Sequence, residues 1–409
     1  MRVFALYCDR SADLPTSHPS PGFSSAIFTA GEFFPSTPWL PIGEFMVTPV
    51  TNSRIFLAWL FVAFTAASLL VPACKHATEP GPSGVDTTSH NFVWRSWVFG
   101  DGSYATSVLN DVAIINDTMA YAVGEVYFKD STGQIDNLPY NLVRWNGTQW
   151  EVRKIPYYYQ GQALYYEIGA IFARRSDDIW LGIGNLIHWD GQRYETVDFP
   201  SGVWGAFLVS KFWGDESHLY AIGGGGSIAS YDGRTWRALN SGTSLHIQDI
   251  WGTRNPLTGT LEVIALASTH DFPANKALLR IDGTTVTQLP DSGLTQILSG
   301  VWFAPGGKYY IVGDGMFQKD QLTSADPWQY FSRELTPYYT QSIRGSAAND
   351  VLVCGDFGTL LHYNGSTWHN YQSELNLQQY TLHAVAIKGN MAIAVGTDGV
   401  NAIIVMGRR

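Results

Sequence analysis

The sequence predicts an all-β, seven-bladed β-propeller of four-stranded antiparallel blades, closed by its own N-terminal strand and preceded by an export signal and a flexible tether. A two-part pattern recurs seven times across residues 91–409. Asp/Asn-Gly dipeptides fall between alternating apolar runs, the strongest short-range hairpin signal. The composition agrees: 45% hydrophobic, 14% aromatic and only 15% charged residues, with 41 glycines among 409 residues, allow a large core and many turns.

Residues 1–45 are proline-rich and carry Asp9, Asp13, Glu32 and Glu44 ahead of the apolar run. They are expected to be an over-extended reading frame or a segment that is removed, because Met46 opens a short n-region, "MVTPVTNSR". Residues 46–73 then read as a signal peptide, with 17 uncharged residues, "IFLAWLFVAFTAASLLV", between Arg54 and the Pro72-Ala73-Cys74 end. The "VPAC" ending resembles the lipobox of bacterial lipoproteins. That resemblance implies cleavage before Cys74, lipidation of Cys74 with palmitate-type chains, and a domain outside the cytoplasm anchored in the cell envelope, the outer membrane favoured. An uncleaved signal anchor is the competing reading, since the run approaches bilayer-spanning length. Residues 74–90 are polar and rich in Pro, Gly, Ser and Thr, and read as a flexible tether.

Residues 91–409 hold the repeats. The first half of each is an apolar alternation that closes on glycine, at Gly124, Gly182, Gly223, Gly313, Gly355 and Gly396. The copy that starts at Ile250 carries an insertion and has Ala265 or Ala267 in place of the glycine. The second half is a turn followed by an aromatic strand, with glycines at Gly147, Gly191, Gly233, Gly283 and Gly365; the first four stand 44, 42 and 50 residues apart. That period suits one four-stranded sheet per repeat, and the expected turn is type I′, with positive φ at both central residues. The fifth copy is eroded to "SADPWQY" around Trp328, and the last ends in "NAIIVMGRR" with no turn. The orphan strand "NFVWRSWVF", 91–99, is expected to cover that open edge.

These repeats resemble the Asp-box, sialidase-like and YVTN/WD40-like propeller superfamily. The chain keeps only the Asp/Asn-Gly-x-x-aromatic part of the Asp-box pattern. The resemblance implies the fold and leaves the chemistry open.

Several function classes are excluded. The net charge of -10 and the absence of a Lys/Arg cluster argue against nucleic acid as a partner. Cys8, Cys74 and Cys354 are too few and too scattered for a disulfide framework or metal knuckle, and Cys354, in "DVLVCG", reads as a small buried hydrophobe. The sequence contains no nucleophile elbow, His-Glu-x-x-His, P-loop or Cys-x-x-Cys. "GGGGS" at 223–227 reads as a strand-to-strand turn, and "RKIP" at 153–156 resembles a sialidase arginine motif but follows the turn it should precede. No catalytic residue, metal or cofactor is expected.

The repeats also serve as an internal alignment. His188 and His362 share a position with Arg144, Ser230 and Arg280, which predicts polar, solvent-facing strand residues. Trp150, Trp236 and Trp368 share one position and Trp213, Trp251 and Trp302 another, as packing between blades requires. Two features escape the repeat. One is the insertion "IPYYYQGQALYYE", 155–167, whose Tyr157, Tyr158, Tyr159, Tyr165 and Tyr166 offer rigid amphipathic contact area. The other is an inner-strand position reading Asn110, Gly169, Ser210, Gln248, Ser299, Gln341 and His383, flanked by Asp111, Asp249 and Lys211, which is expected to line a central channel. A channel that is merely solvated is the bland alternative. The expected function is a monomeric, lipid-anchored, non-enzymatic scaffold for a protein or glycan. The alternative, a sialidase-like or glycosyl-transfer enzyme, requires two carboxylates or an arginine cluster converging at the channel mouth.

Overall fold

The computed structural model describes residues 86–102, 106–199, 208–330 and 335–409. The leader, with Cys8 and Cys74, and most of the tether lie outside them. Seven four-stranded antiparallel sheets are present among the described residues, with a separate two-stranded hairpin. Blade 1 consists of Val108–Asn116, Met119–Val126, Tyr140–Trp145 and Trp150–Arg153. Blades 2 to 7 open on Ala170–Arg175, Val209–Gly214, Ile247–Arg254, Leu298–Phe303, Thr340–Ala347 and Thr381–Lys388. These first strands are innermost. Each packs against the next, and that of blade 7 against that of blade 1, so the ring closes.

The closing strand is Val93–Phe99, paired with Ala402–Arg408 from Val93↔Arg408 to Phe99↔Ala402. Trp97 and Phe99 are buried, and they join Ile404 and Met406 of blade 7 to Val112, Trp145 and Trp150 of blade 1. The core is divided rather than central: each of seven hydrophobic clusters fills one blade-to-blade interface. Middle strands are therefore packed on both faces, and Asp178–Gly182 and Leu219–Gly223 are buried along their whole length.

The inner-strand aromatics act as packing residues between blades. A Cβ added to Gly252 would stand 2.7 Å from the Trp213 ring, and one added to Gly345 2.4 Å from Trp302, so each tryptophan lies flat on the backbone of the following blade. Trp251 adds a bond from its Nε1 to the Phe303 carbonyl, 2.9 Å away in blade 5. Four of the glycines that close second strands, Gly124, Gly313, Gly355 and Gly396, have a steric cause of their own. At Gly124 a Cβ would meet the Val108 carbonyl oxygen at 2.1 Å, where the inner strand enters. In blade 4 that place belongs to Ala267, which pairs with Ile247 as Gly124 pairs with Leu109.

The turns differ from the expected type I′. In "YDGRTW" only Gly233 has positive φ, and the Asp232 side chain organises the loop by accepting from the Arg234 and Thr235 amides at 3.0 and 2.8 Å. Asn146, Asp190 and Asn364 do the same. These are Asx-type loops in which the carboxylate or amide replaces a missing backbone acceptor. A tight two-residue turn with two positive φ values does occur at Gln160 (49°) and Gly161 (79°), in the tyrosine-rich insertion. The eroded fifth repeat still forms an outer strand, Gln329–Tyr330, beside buried Trp328.

Candidate functional site

Six of the seven inner strands carry a β-bulge at one equivalent place. The pairing register jumps between Leu109 and Asp111, Val209 and Lys211, Ile247 and Asp249, Leu298 and Gly300, Thr340 and Ser342, and Leu382 and Ala384. The residue left over is Asn110, Ser210, Gln248, Ser299, Gln341 or His383. A bulge leaves one residue out of the ladder and re-aims its side chain. These six accordingly line a single cavity of about 180 Å³ on the ring axis. In blade 2 the paired strand begins at Ala170, and Gly169 contributes no side chain.

Beside this ring, Asp111 and Asp249 are buried and hold the blades together. Asp111 of blade 1 accepts from the Ile171 amide of blade 2 (3.1 Å) and from Lys211 Nζ of blade 3 (2.7 Å). Asp249 repeats the arrangement three blades on, accepting from the Val301 amide of blade 5 (2.9 Å) and from both terminal nitrogens of Arg344 in blade 6 (2.9 and 2.6 Å). Each carboxylate thus ties three consecutive blades. Arg344 is the one arginine lining the channel or its mouths among the described residues, so no arginine cluster forms there. Arg153 sits on an outer strand, paired with Glu151 at 2.8 Å. Among the described residues no group of three or more His, Cys, Asp or Glu side chains is placed to hold a metal ion.

The tyrosine insertion connects the outer strand of blade 1 to the inner strand of blade 2, so it lies at the end of the ring where inner strands begin. It folds as a hairpin, Tyr157–Tyr159 with Gln162–Leu164, held at its base by Asn141, whose Nδ2 donates to the Ile155 and Tyr166 carbonyls. Strand alternation turns Tyr157 and Tyr159 to one face and Tyr158 to the other. Tyr157, Tyr159, Leu164 and Tyr166 wall a cavity of about 940 Å³ that also touches Asn110 and Ser210 of the polar ring. Insertion and channel are therefore one continuous site. Tyr158 and Tyr165 stand outside the lining; Tyr158 is half exposed and its amide donates to Thr196.

Glu125, Glu167 and His246 also line this cavity and were not singled out from the sequence. Glu167 Oε1 accepts from Asn110 Nδ2 at 2.6 Å, and Glu125 Oε2 accepts from Tyr127 Oη at 2.8 Å. Burial raises the Glu125 carboxyl above its ordinary pKa; the Tyr127 bond opposes the shift and the charge of Glu167 adds to it. His246 shares a 2.7 Å hydrogen bond with Ser210 Oγ, and burial, with nearby His270, lowers its pKa and keeps it neutral near pH 7. Each of these residues borders a repeat boundary: Glu125 follows the closing Gly124, Glu167 precedes an inner strand, and His246 stands just before Ile247. The opposite end of the channel is a smaller recess of about 180 Å³ bounded by Asp111, Lys211, Trp251, Arg344 and Lys388.

The two repeat-position histidines are not solvent-facing. His188 stacks on Trp180 with ring centroids 4.1 Å apart and shares a 3.0 Å bond with Asp178. His362 is fully buried, bonded to Asp350 at 2.9 Å and to His90 at 2.8 Å, beneath the segment that leads into the closing strand. The repeat position sets which face of the strand each occupies; a covering segment and a carboxylate neighbour decide its exposure. Buried Cys354 matches its reading as a hydrophobe, and burial pushes its thiol pKa well up.

No protein-family model matches the chain, and no curated protein matches it. Solved structures do. YCF48 bound to a D1 peptide aligns with a TM-score of 0.56 at 15% identity, over 80% of this chain and 100% of that one. Virginiamycin B lyase from Staphylococcus aureus aligns at 0.53 and 9% identity, over 77% and 99%. The WD40 propeller of Doa1 aligns at 0.50 and 13%, over 73% and 92%. At such identities the likeness establishes the propeller fold alone.

Proposed function

We propose that this chain is a membrane-anchored binding protein of the cell envelope whose propeller presents the mouth cavity to an extended segment of a partner protein. The observation that carries the reading is the continuity of the tyrosine hairpin with the polar ring. An insertion outside the repeat overhangs an end of the channel that opens into a cavity of about 940 Å³, within the size range of ligand sites. Tyr159, Tyr166 and Leu208 line it while remaining 54%, 50% and 66% exposed, which leaves apolar area for a partner to cover. The solved neighbour caught with a peptide supports a propeller of this shape as a peptide holder. In this reading Cys74 bears the lipid, and residues 75–90 hold the cavity away from the membrane.

The test is affinity capture from solubilised envelope, with wild type and the Tyr157→Ser/Tyr159→Ser/Tyr166→Ser variant compared side by side. A protein recovered with wild type and depleted at least tenfold with the variant supports the reading. Equal recovery with both refutes it. A second reading, a glycoside-processing enzyme, is favoured by one observation: Glu125 and Glu167 line the same cavity and the Glu125 pKa is raised, as a general acid requires. Turnover of an envelope glycan that Glu125→Gln abolishes would establish that reading instead.

A further inference from the structure

We propose that the mouth cavity receives a cationic side chain, the guanidinium or ammonium of a basic residue in the bound segment. This inference rests on the peptide-binding reading above and specifies the chemistry of its ligand. Three tyrosine rings and two carboxylates share the cavity wall, and no lysine or arginine lines it among the described residues. Tyr157 and Tyr166 lie with ring centroids 6.2 Å apart and inclined by 50°, so they form two sides of a box rather than a stack. The faces of such rings are electron-rich and attract a cation, more strongly the more water is excluded. Phenol hydroxyls alone would serve a sugar or a neutral peptide equally well. The glutamates break that tie.

The bonds to Asn110 and Tyr127 use Oε1 of Glu167 and Oε2 of Glu125, so each carboxylate keeps an oxygen to accept from an incoming donor. The buried ion pairs deeper in the channel do not compete, because Lys211 and Arg344 are already bound to Asp111 and Asp249. The surroundings have the same sign. The residue after the closing glycine, Glu125 in blade 1, is Asp314 in blade 5 and Asp356 in blade 6, and both of these aspartates act electrostatically on Tyr339 in the polar ring. A cation entering from this side is attracted before contact, and an anion is repelled.

The experiment uses degenerate hexapeptide mixtures, fluorescein-labelled, with one position fixed as Arg, citrulline, Glu or Ser and neutral residues elsewhere, and reads polarisation with wild-type protein at low salt. Citrulline keeps the planar shape of arginine but replaces one terminal nitrogen by a carbonyl oxygen, which removes the charge together with two of the five donors, so the salt dependence separates charge from donor loss. The expected result is binding of the Arg mixture about five- to tenfold tighter than the citrulline mixture, with the difference shrinking in 0.5 M salt. Glu125→Gln/Glu167→Gln should abolish that difference, and a cooperative unfolding transition shows that the variant is folded. Equal binding of the Arg and citrulline mixtures, or preference for the Glu mixture, overturns the cation inference and leaves the peptide-binding reading standing. Failure of every mixture to bind removes the peptide-binding reading and this inference with it.

Discussion

Replacing Asp249 by Asn keeps an oxygen for the Val301 amide and removes the charge that neutralises Arg344. The side chains of the pair are 4% and 13% exposed and are joined by two bonds of 2.9 and 2.6 Å, so Arg344 would be left charged and almost dry. Breaking a buried pair from one side costs about 3–5 kcal/mol, and the adjoining polar cavity, which admits water, places this site near 3 kcal/mol. At roughly 2 °C per kcal/mol for a domain of this size, the melting temperature should fall by about 6 °C. Asp249→Ala also orphans the buried Val301 amide and should cost about 1–3 kcal/mol more. Arg344→Met in the Asp249→Ala background removes the unpaired charge and should recover at least half of the loss, giving a coupling of about 2 kcal/mol or more in the double-mutant cycle. The assay is thermal and urea unfolding of wild type, Asp249→Asn, Asp249→Ala, Arg344→Met and Asp249→Ala/Arg344→Met. A fall under about 1 °C for Asp249→Asn, or loss of a binding or catalytic activity with the melting temperature intact, would refute the assignment of this pair as a staple between blades.

Three further outcomes are expected. Gly345→Ala places a methyl group 2.4 Å from Trp302 and should destabilise by about 1–3 kcal/mol in the same unfolding assay; no effect would mean that the tryptophan does not rest on the next blade. His90, next to His362 and His369, has its pKa lowered to about 4 by burial and then by those two rings, so it contributes stability above its unfolded value near 6.5 that is lost as pH falls from 6.5 toward 4. Asp350, which burial pushes up but bonds from His362, Arg409 and Ser346 bring down to about 2, loses its contribution only below its unfolded value of 3.8; His246 and His383, whose pKa values burial also lowers, share the higher window and are common to both proteins compared. The melting temperature of wild type should therefore drop more steeply between pH 6.5 and 4 than that of His90→Gln, and parallel curves would count against the His90 contact. For the anchor, radiolabelled palmitate should mark wild type and leave Cys74→Ala unlabelled, whereas label on both would exclude lipidation at that cysteine.

What the sequence disclosed follows from what repeats. Gly124 and Gly396 recur because the entering inner strand would collide with a Cβ, so the number of blades is legible in the sequence. The polar ring was legible for the same reason, since the bulge that turns Asn110 inward recurs in five sister blades. The turn geometry was not, because the same Asp-Gly letters suit a type I′ turn and a loop ordered by the Asp232 side chain. His362 was misjudged because its cover, His90, comes from 272 residues away. Glu125 and Glu167 escaped notice because neither belongs to a motif; they meet only because one follows a closing glycine and the other ends an insertion that overhangs the ring.

In the proposed binding mode, ligand enters at the tyrosine hairpin and not at the opposite end of the channel. Hydrogen–deuterium exchange of wild type with and without the tightest-binding hexapeptide mixture measures this directly. Slowed exchange is expected in residues 157–169 and 208–210, with no change around Arg344 and Lys388. Protection confined to the Arg344 and Lys388 end, or to the outer strands of the blades, would contradict it.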